Sequence, residues 1–79
     1  MKVQVKLFAT YRSHLPPGTA GSALDVQVPV GTRVGDLLHQ FGLPQNESRV
    51  ILVNGLGAQE DQVLQENDVI AAFPAMAGG

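Results

Sequence analysis

Only one stretch of this chain has the periodicity of an amphipathic helix. Val34, Leu37, Leu38 and Phe41 recur at i, i+3, i+4 and i+7, which gives a single apolar stripe. Thr32 stands before the stripe as the expected N-cap. Gly42 suits the left-handed position just past a helix end, and Pro44 forbids continuation. A short helix with one apolar stripe cannot bury that stripe alone and needs a second layer. In a chain of 79 residues, one domain's worth, the remaining segments must supply it.

Those segments read as strands. Along residues 2–8, Val3, Val5 and Leu7 share one face, and Lys2, Gln4, Lys6 and Phe8 share the other. Residues 16–22 are turn formers, and Thr10–Leu15 before them has room for one helical turn. Leu24, Val26 and Val28 alternate with polar neighbours up to Pro29. Val50-Ile51-Leu52-Val53 reads as a buried strand entering a tight turn at Asn54-Gly55. Ala58–Leu64 is irregular, with room for one short strand. Val69–Phe73 is the last strand, ended by Pro74. The order predicts an α+β fold, a mixed sheet of four to five strands with one main helix packed on one face. The first and last strands carry the strongest patterns. If they pair parallel in the middle of the sheet, the helix lies across them and the tail leaves from a sheet end.

Composition narrows the function. The net charge of −2, with no basic run, argues against nucleic acid or an anionic membrane as partner. Without cysteine there are no disulfides, thiol nucleophiles or thiolate metal sites. No apolar stretch has the length of a signal peptide or a membrane span, so a cytoplasmic location is expected. His14, in an expected loop, and His39, on the polar side of the helix, are isolated and read as solvated. Glu60-Asp61 and Glu66/Asp68 read as solvated turns. No metal spacing, phosphate loop or catalytic constellation is evident, so no bound cofactor is expected.

The end of the sequence, Phe73-Pro74-Ala75-Met76-Ala77-Gly78-Gly79, carries the remaining signal. Two terminal glycines leave no side chain around the carboxylate, so a tail over residues 75–79 is expected to be thin and flexible, following a domain over 1–74. A chain without a catalytic constellation but with a bare carboxylate reads as a substrate or carrier rather than an enzyme.

Several segments then resemble a known family. They are Val5-Lys6-Leu7-Phe8-Ala9 with Tyr11-Arg12, Val53-Asn54-Gly55, Leu64-Gln65-Glu66-Asn67-Asp68-Val69, Phe73-Pro74 and Gly78-Gly79. In this order and spacing the chain resembles the MoaD/ThiS family of ubiquitin-like sulfur carriers, closer to its MoaD branch, the small subunit of molybdopterin synthase. The resemblance implies a β-grasp fold. Asn67 stands where the family commonly has Gly. Asn is the next-best residue for positive φ, so the turn is expected to survive. Ala75 and Met76 depart from the family's usual Pro and β-branched residue, which bears on partner preference.

The resemblance implies that Gly79, preceded by Gly78, carries the chemistry. Its carboxylate is adenylated with ATP-Mg by an E1-like adenylyltransferase of the MoeB/ThiF type and converted to a thiocarboxylate by a sulfur donor protein. In the MoaD branch the sulfur goes to a cyclic pterin phosphate, giving the dithiolene of molybdopterin, within a complex with a MoaE-like large subunit. Other acceptors (thiazole, a tRNA base, cysteine), ubiquitin-like attachment to lysine, or an inert interaction module are the rival readings. The carrier alone is expected to be a monomer. Phe8, on the face of its strand opposite Val3, Val5 and Leu7, and Phe73, beside the tail, are candidate partner contacts, or else pack on the back of the sheet. Leu56, Arg12, Pro74 and Met76 complete the candidate partner-binding set.

Overall fold

The computed structural model describes residues 1–44 and 47–75. Five strands form one mixed sheet: β1 (Lys2–Leu7), β2 (Ala23–Gln27), β3 (Arg49–Val53), β4 (Leu56–Gly57) and β5 (Val69–Pro74). Their order across the sheet is β2-β1-β5-β3-β4. β1 and β5 run parallel with Val5 opposite Ile70 and Leu7 opposite Ala72, and every other neighbouring pair is antiparallel. The two segments with the cleanest alternation therefore meet in the interior of the sheet. Parallel strands need a long crossover, and the helix α1 (Val34–Gln40) lies within it.

The core forms between α1 and one sheet face. Val34, Leu37 and Leu38 of α1 are buried with Val3, Val5 and Leu7 of β1, Ile51 and Val53 of β3, and Ile70 and Ala72 of β5. Trimming a fully buried leucine such as Leu37 to alanine typically costs about 2–5 kcal/mol, a large fraction of the stability of so small a domain. Phe41 is half-buried and packs at the margin of this core, in the C-cap position. Gly42 follows with φ +75°, the left-handed conformation expected of it.

The helix start differs from expectation. Thr32 is not the N-cap: it is buried, and its hydroxyl donates to the Pro29 carbonyl at 2.7 Å. Arg33 occupies the cap position, and the Asp36 carboxylate accepts the Arg33 N–H at 3.1 Å. The N–H groups of Val34 and Gly35 donate to the carbonyls of Gln62 and Glu60 at 2.9 and 2.8 Å. The helix is thus capped from a segment distant in sequence, which local capping rules do not see.

The short strand lies at Leu56–Gly57, not within 58–64. Asn54 and Gly55, at φ +54° and +82°, form a two-residue hairpin turn, so β4 begins at once after it. The 58–64 segment contributes an isolated bridge between Val63 and Arg33, and buried Leu64. Before β2, the expected helical turn is a 3₁₀ helix over Ala9–His14 that buries Tyr11.

Candidate functional site

The sheet face away from α1 is built by the residues that alternate with the core. On β1 and just beyond it these are Lys6 and Phe8; on β5, Ala71 and Phe73; on β3, Val50 and Leu52. The register aligns Leu52, Ala71 and Lys6 in one row, and Val50 with Phe73 in the next. Phe8 closes that second row: its ring meets Phe73 edge-on, with centroids 6.3 Å apart and planes at 76°. Such pairs contribute about 0.5–1.5 kcal/mol beyond the area they bury. Of the two readings of these rings, packing on the back of the sheet is what the structure shows. Phe8 stays 38% exposed and Phe73 half-buried.

The strand over residues 50–53 was expected to be buried. Instead Ile51 and Val53 enter the core, while Val50 is exposed and Leu52 half-buried on the open face. An all-apolar run has no alternation, so its open half was hidden in the sequence. With them the aromatic pair becomes part of an apolar surface across three strands. Pro74 still pairs with Arg49, and the Ala75 N–H donates to the Ser48 carbonyl at 3.1 Å. The chain therefore departs toward residues 76–79 from the Val50–Phe73 end of this face. Met76, Gly78 and Gly79 lie outside the described residues.

Phe8 is held by the sheet on one side and by a sharp turn on the other. Its N–H donates to the Ala72 carbonyl at 3.2 Å, which extends the ladder with β5. Ala9 then takes φ +55°, uncommon for a residue with a Cβ, and turns the chain off the sheet so that Tyr11 enters the core. The Tyr11 hydroxyl donates to the Glu47 carboxylate at 2.5 Å, and the Arg49 guanidinium lies 5.6 Å from the ring centroid. Arg49 also donates to the Pro44 carbonyl. Burial first, and then the bond to Glu47, push the Tyr11 phenol above its ordinary pKa.

Other candidates fall elsewhere. Leu56 is 73% exposed but lies on edge strand β4, opposite core residue Val53, with β3 and β5 between it and β1. Arg12 is exposed and lines a shallow cleft of about 210 Å³ with Pro16, Gly18 and Thr19. His14 is not in a loop: it is half-buried in the 3₁₀ helix, its Nδ1 3.0 Å from the Phe41 carbonyl. His39 is exposed on α1.

Asp68 is not a solvated turn residue. It is only 7% exposed; its carboxylate accepts from the Asn54 side-chain amide and the Gln65 N–H, each at 2.8 Å. Asn54 in turn accepts the Val69 N–H at 2.9 Å. This network ties the β3–β4 turn to the start of β5. Asn67, beside it, takes φ +68°, so Asn does hold the position where Gly is usual. Among the described residues, no group of three or more His, Cys, Asp or Glu could hold a metal, and no helix is long and apolar enough to cross a membrane.

One helix across a mixed five-stranded sheet, with the first and last strands parallel at its centre, is the ubiquitin-like β-grasp architecture. The chain belongs to the ThiS family of ubiquitin-like sulfur carriers, whose family model matches residues 5–79. Among solved structures it resembles a Pyrococcus furiosus protein provisionally named molybdopterin converting factor, subunit 1, with 27% identity and a TM-score of 0.72 over 95% of this chain and 98% of that one. It also shares the fold of Haloferax volcanii small archaeal modifier protein 1, with 22% identity and a TM-score of 0.72 over 95% and 98% of the two chains. The Haloferax volcanii protein HVO 2177 has the same fold at 22% identity and a TM-score of 0.79, over 100% of this chain and 87% of its own. No curated protein matches the sequence significantly.

Proposed function

We propose that this chain carries sulfur as a thiocarboxylate on Gly79 and delivers it in molybdopterin formation. The observation that carries this reading is the family match over residues 5–79, which runs through Gly78-Gly79. A carboxylate is a poor acyl donor because its leaving group would be oxide. In the proposed reaction the Gly79 carboxylate attacks the α-phosphate of ATP, and pyrophosphate leaves. Sulfide-level sulfur from a sulfur donor protein then attacks the acyl carbon of the adenylate, and the acyl–oxygen bond breaks with loss of AMP and a proton, which leaves the thiocarboxylate. An E1-like adenylating enzyme supplies ATP-Mg, and a large synthase subunit holds the pterin acceptor. The likeness to the Pyrococcus furiosus protein supports the molybdopterin branch.

This chain's own part is to present the tail and to be recognised. The apolar face of Phe8, Phe73, Val50 and Leu52 adjoins the root of the tail, which suits a docking surface that guides the carboxylate into a partner. Pro74 and Met76 would follow the partner's channel, with Arg12 and Leu56 as peripheral contacts. The ATP-dependent chemistry fits a cytoplasmic setting and a carrier that is monomeric until docked.

A second reading, attachment to lysine, draws on the shared fold with a small archaeal modifier protein. Here an ε-amine in place of the sulfur donor attacks the acyl-adenylate, with loss of AMP and a proton. The test common to both is to delete Gly79 or append one residue after it. Transfer of sulfur, or conjugation, is expected to stop in both variants, and persistence in either refutes the assignment. In the intact chain, adducts on lysine peptides in place of a thiocarboxylate would select the second reading.

A further inference from the structure

The open face has one feature that aromatic docking does not explain. Lys6 lies within it, two residues before Phe8 on the same side of β1, and it is half-buried. Its cross-strand neighbours are Ala23 on β2 and Ala71 on β5, small side chains that offer no acceptor. The carboxylate that the register brings diagonally across from it is Asp25, which accepts from the Gln4 amide at 3.4 Å. The other cation on this side of the strand, Lys2, is exposed two rows away. Among the described residues no ion pair involves Lys6. The same row continues into Ala71 and Leu52, so Lys6 borders the apolar surface directly.

We propose that Lys6 determines the specificity of this face, and that the protein docking there presents a carboxylate set in an apolar surface. The inference rests on the reading that the open face docks. An apolar partner closing over Lys6 would strip its ammonium of water and return nothing, which is costly enough to offset good apolar contact. A backbone carbonyl would replace one hydrogen bond but leave the charge unbalanced. An aspartate or glutamate opposite Lys6 does both, and it rejects apolar surfaces that lack one. The aromatic pair supplies contact area, and Lys6 selects which apolar surface may use it.

The test uses the adenylating enzyme of the source organism, the partner that every tail-activation reading requires. Its affinity for the full chain is measured by calorimetry at about 50 and 500 mM salt. Lys6→Met is expected to bind about thirtyfold more weakly at low salt and to lose most of the salt dependence. Lys6→Arg should stay within about threefold of the native chain. Lys6→Glu should be weakest, and recovered by a lysine at the partner carboxylate that carbodiimide cross-linking joins to Lys6. Native affinity and salt dependence in Lys6→Met, or no cross-link at Lys6, overturns the proposal. Phe8→Ser and Phe73→Ser, verified as folded by thermal melting, separate the two levels. If they abolish binding while Lys6→Met does not, the Lys6 inference alone fails. If both bind normally, the docking reading fails and this inference with it.

Discussion

Asn54 combines a left-handed backbone with two side-chain hydrogen bonds, so its replacement should be among the most damaging changes at an exposed position. In Asn54→Ala the bond to the Asp68 carboxylate is lost, leaving a nearly buried acceptor short of a partner. That bond is charge-assisted and is worth about 1.5 kcal/mol. The bond from the Val69 N–H, which water can replace, adds about 0.5 kcal/mol. Holding alanine at φ +54° costs a further ~1 kcal/mol. The sum is about 3 kcal/mol, or a fall in Tm of roughly 15 °C for a domain of this size. Asn54→Gly loses the same two bonds but not the backbone term, so it should lie about 1 kcal/mol above the alanine variant. Urea denaturation of the three proteins, with equal m-values, measures both quantities. If Asn54→Ala and Asn54→Gly are both within about 0.5 kcal/mol of the native chain, the network does not hold the turn.

Three further outcomes are expected. Tyr11 is the sole tyrosine in a chain without tryptophan, so its ionisation can be read directly in the ultraviolet. Its raised pKa means the folded state keeps the proton longer, so stability is intact below about pH 10 and changes only as pH rises through the unfolded value toward the folded one, where it falls; an ordinary midpoint with no loss of stability would contradict the burial. A helical Gly→Ala change normally adds roughly 1 kcal/mol, yet Gly35→Ala should lower Tm, because its Cβ would meet the Glu60 carbonyl at 3.1 Å and the Glu60 Cβ at 3.2 Å; a rise in Tm would show that the 60–62 segment yields freely. Asn67→Gly should be neutral or slightly stabilising and Asn67→Ala about 1 kcal/mol worse, since only the latter strains φ +68°; equal stabilities would refute the backbone argument.

Much of the fold was legible because its strongest patterns are local. The alternation of Val3, Val5 and Leu7 and the stripe of Val34, Leu37 and Leu38 each declared one buried face, and those faces meet in the core. Gly42, Gly55 and Asn67 declared their turns through positive φ. The features that stayed hidden depend on residues distant in sequence. The helix cap comes from Glu60 and Gln62, Asp68 is buried because Asn54 and Gln65 converge on it, and His14 meets the Phe41 carbonyl from a separate element. The candidate site was half legible. Phe8 stood out because its strand alternates, whereas Val50 and Leu52 lie in an apolar run that looks buried. The pairing of Phe8 with Phe73 required the parallel β1–β5 register. The terminal glycines were visible from the first, and the role proposed for them rests on the sequence rather than on the fold.

The Gly79 carboxylate is proposed as the group that reacts. Intact-mass analysis tests it most directly, after incubation of the full chain with its adenylating enzyme, ATP-Mg and a sulfur donor. Exchange of one carboxylate oxygen for sulfur predicts a gain of about 16 Da, confined to the peptide ending in Gly79 and absent from the chain lacking that residue. An unchanged mass, or the same gain in the chain without Gly79, would refute the assignment of Gly79 as the reacting residue.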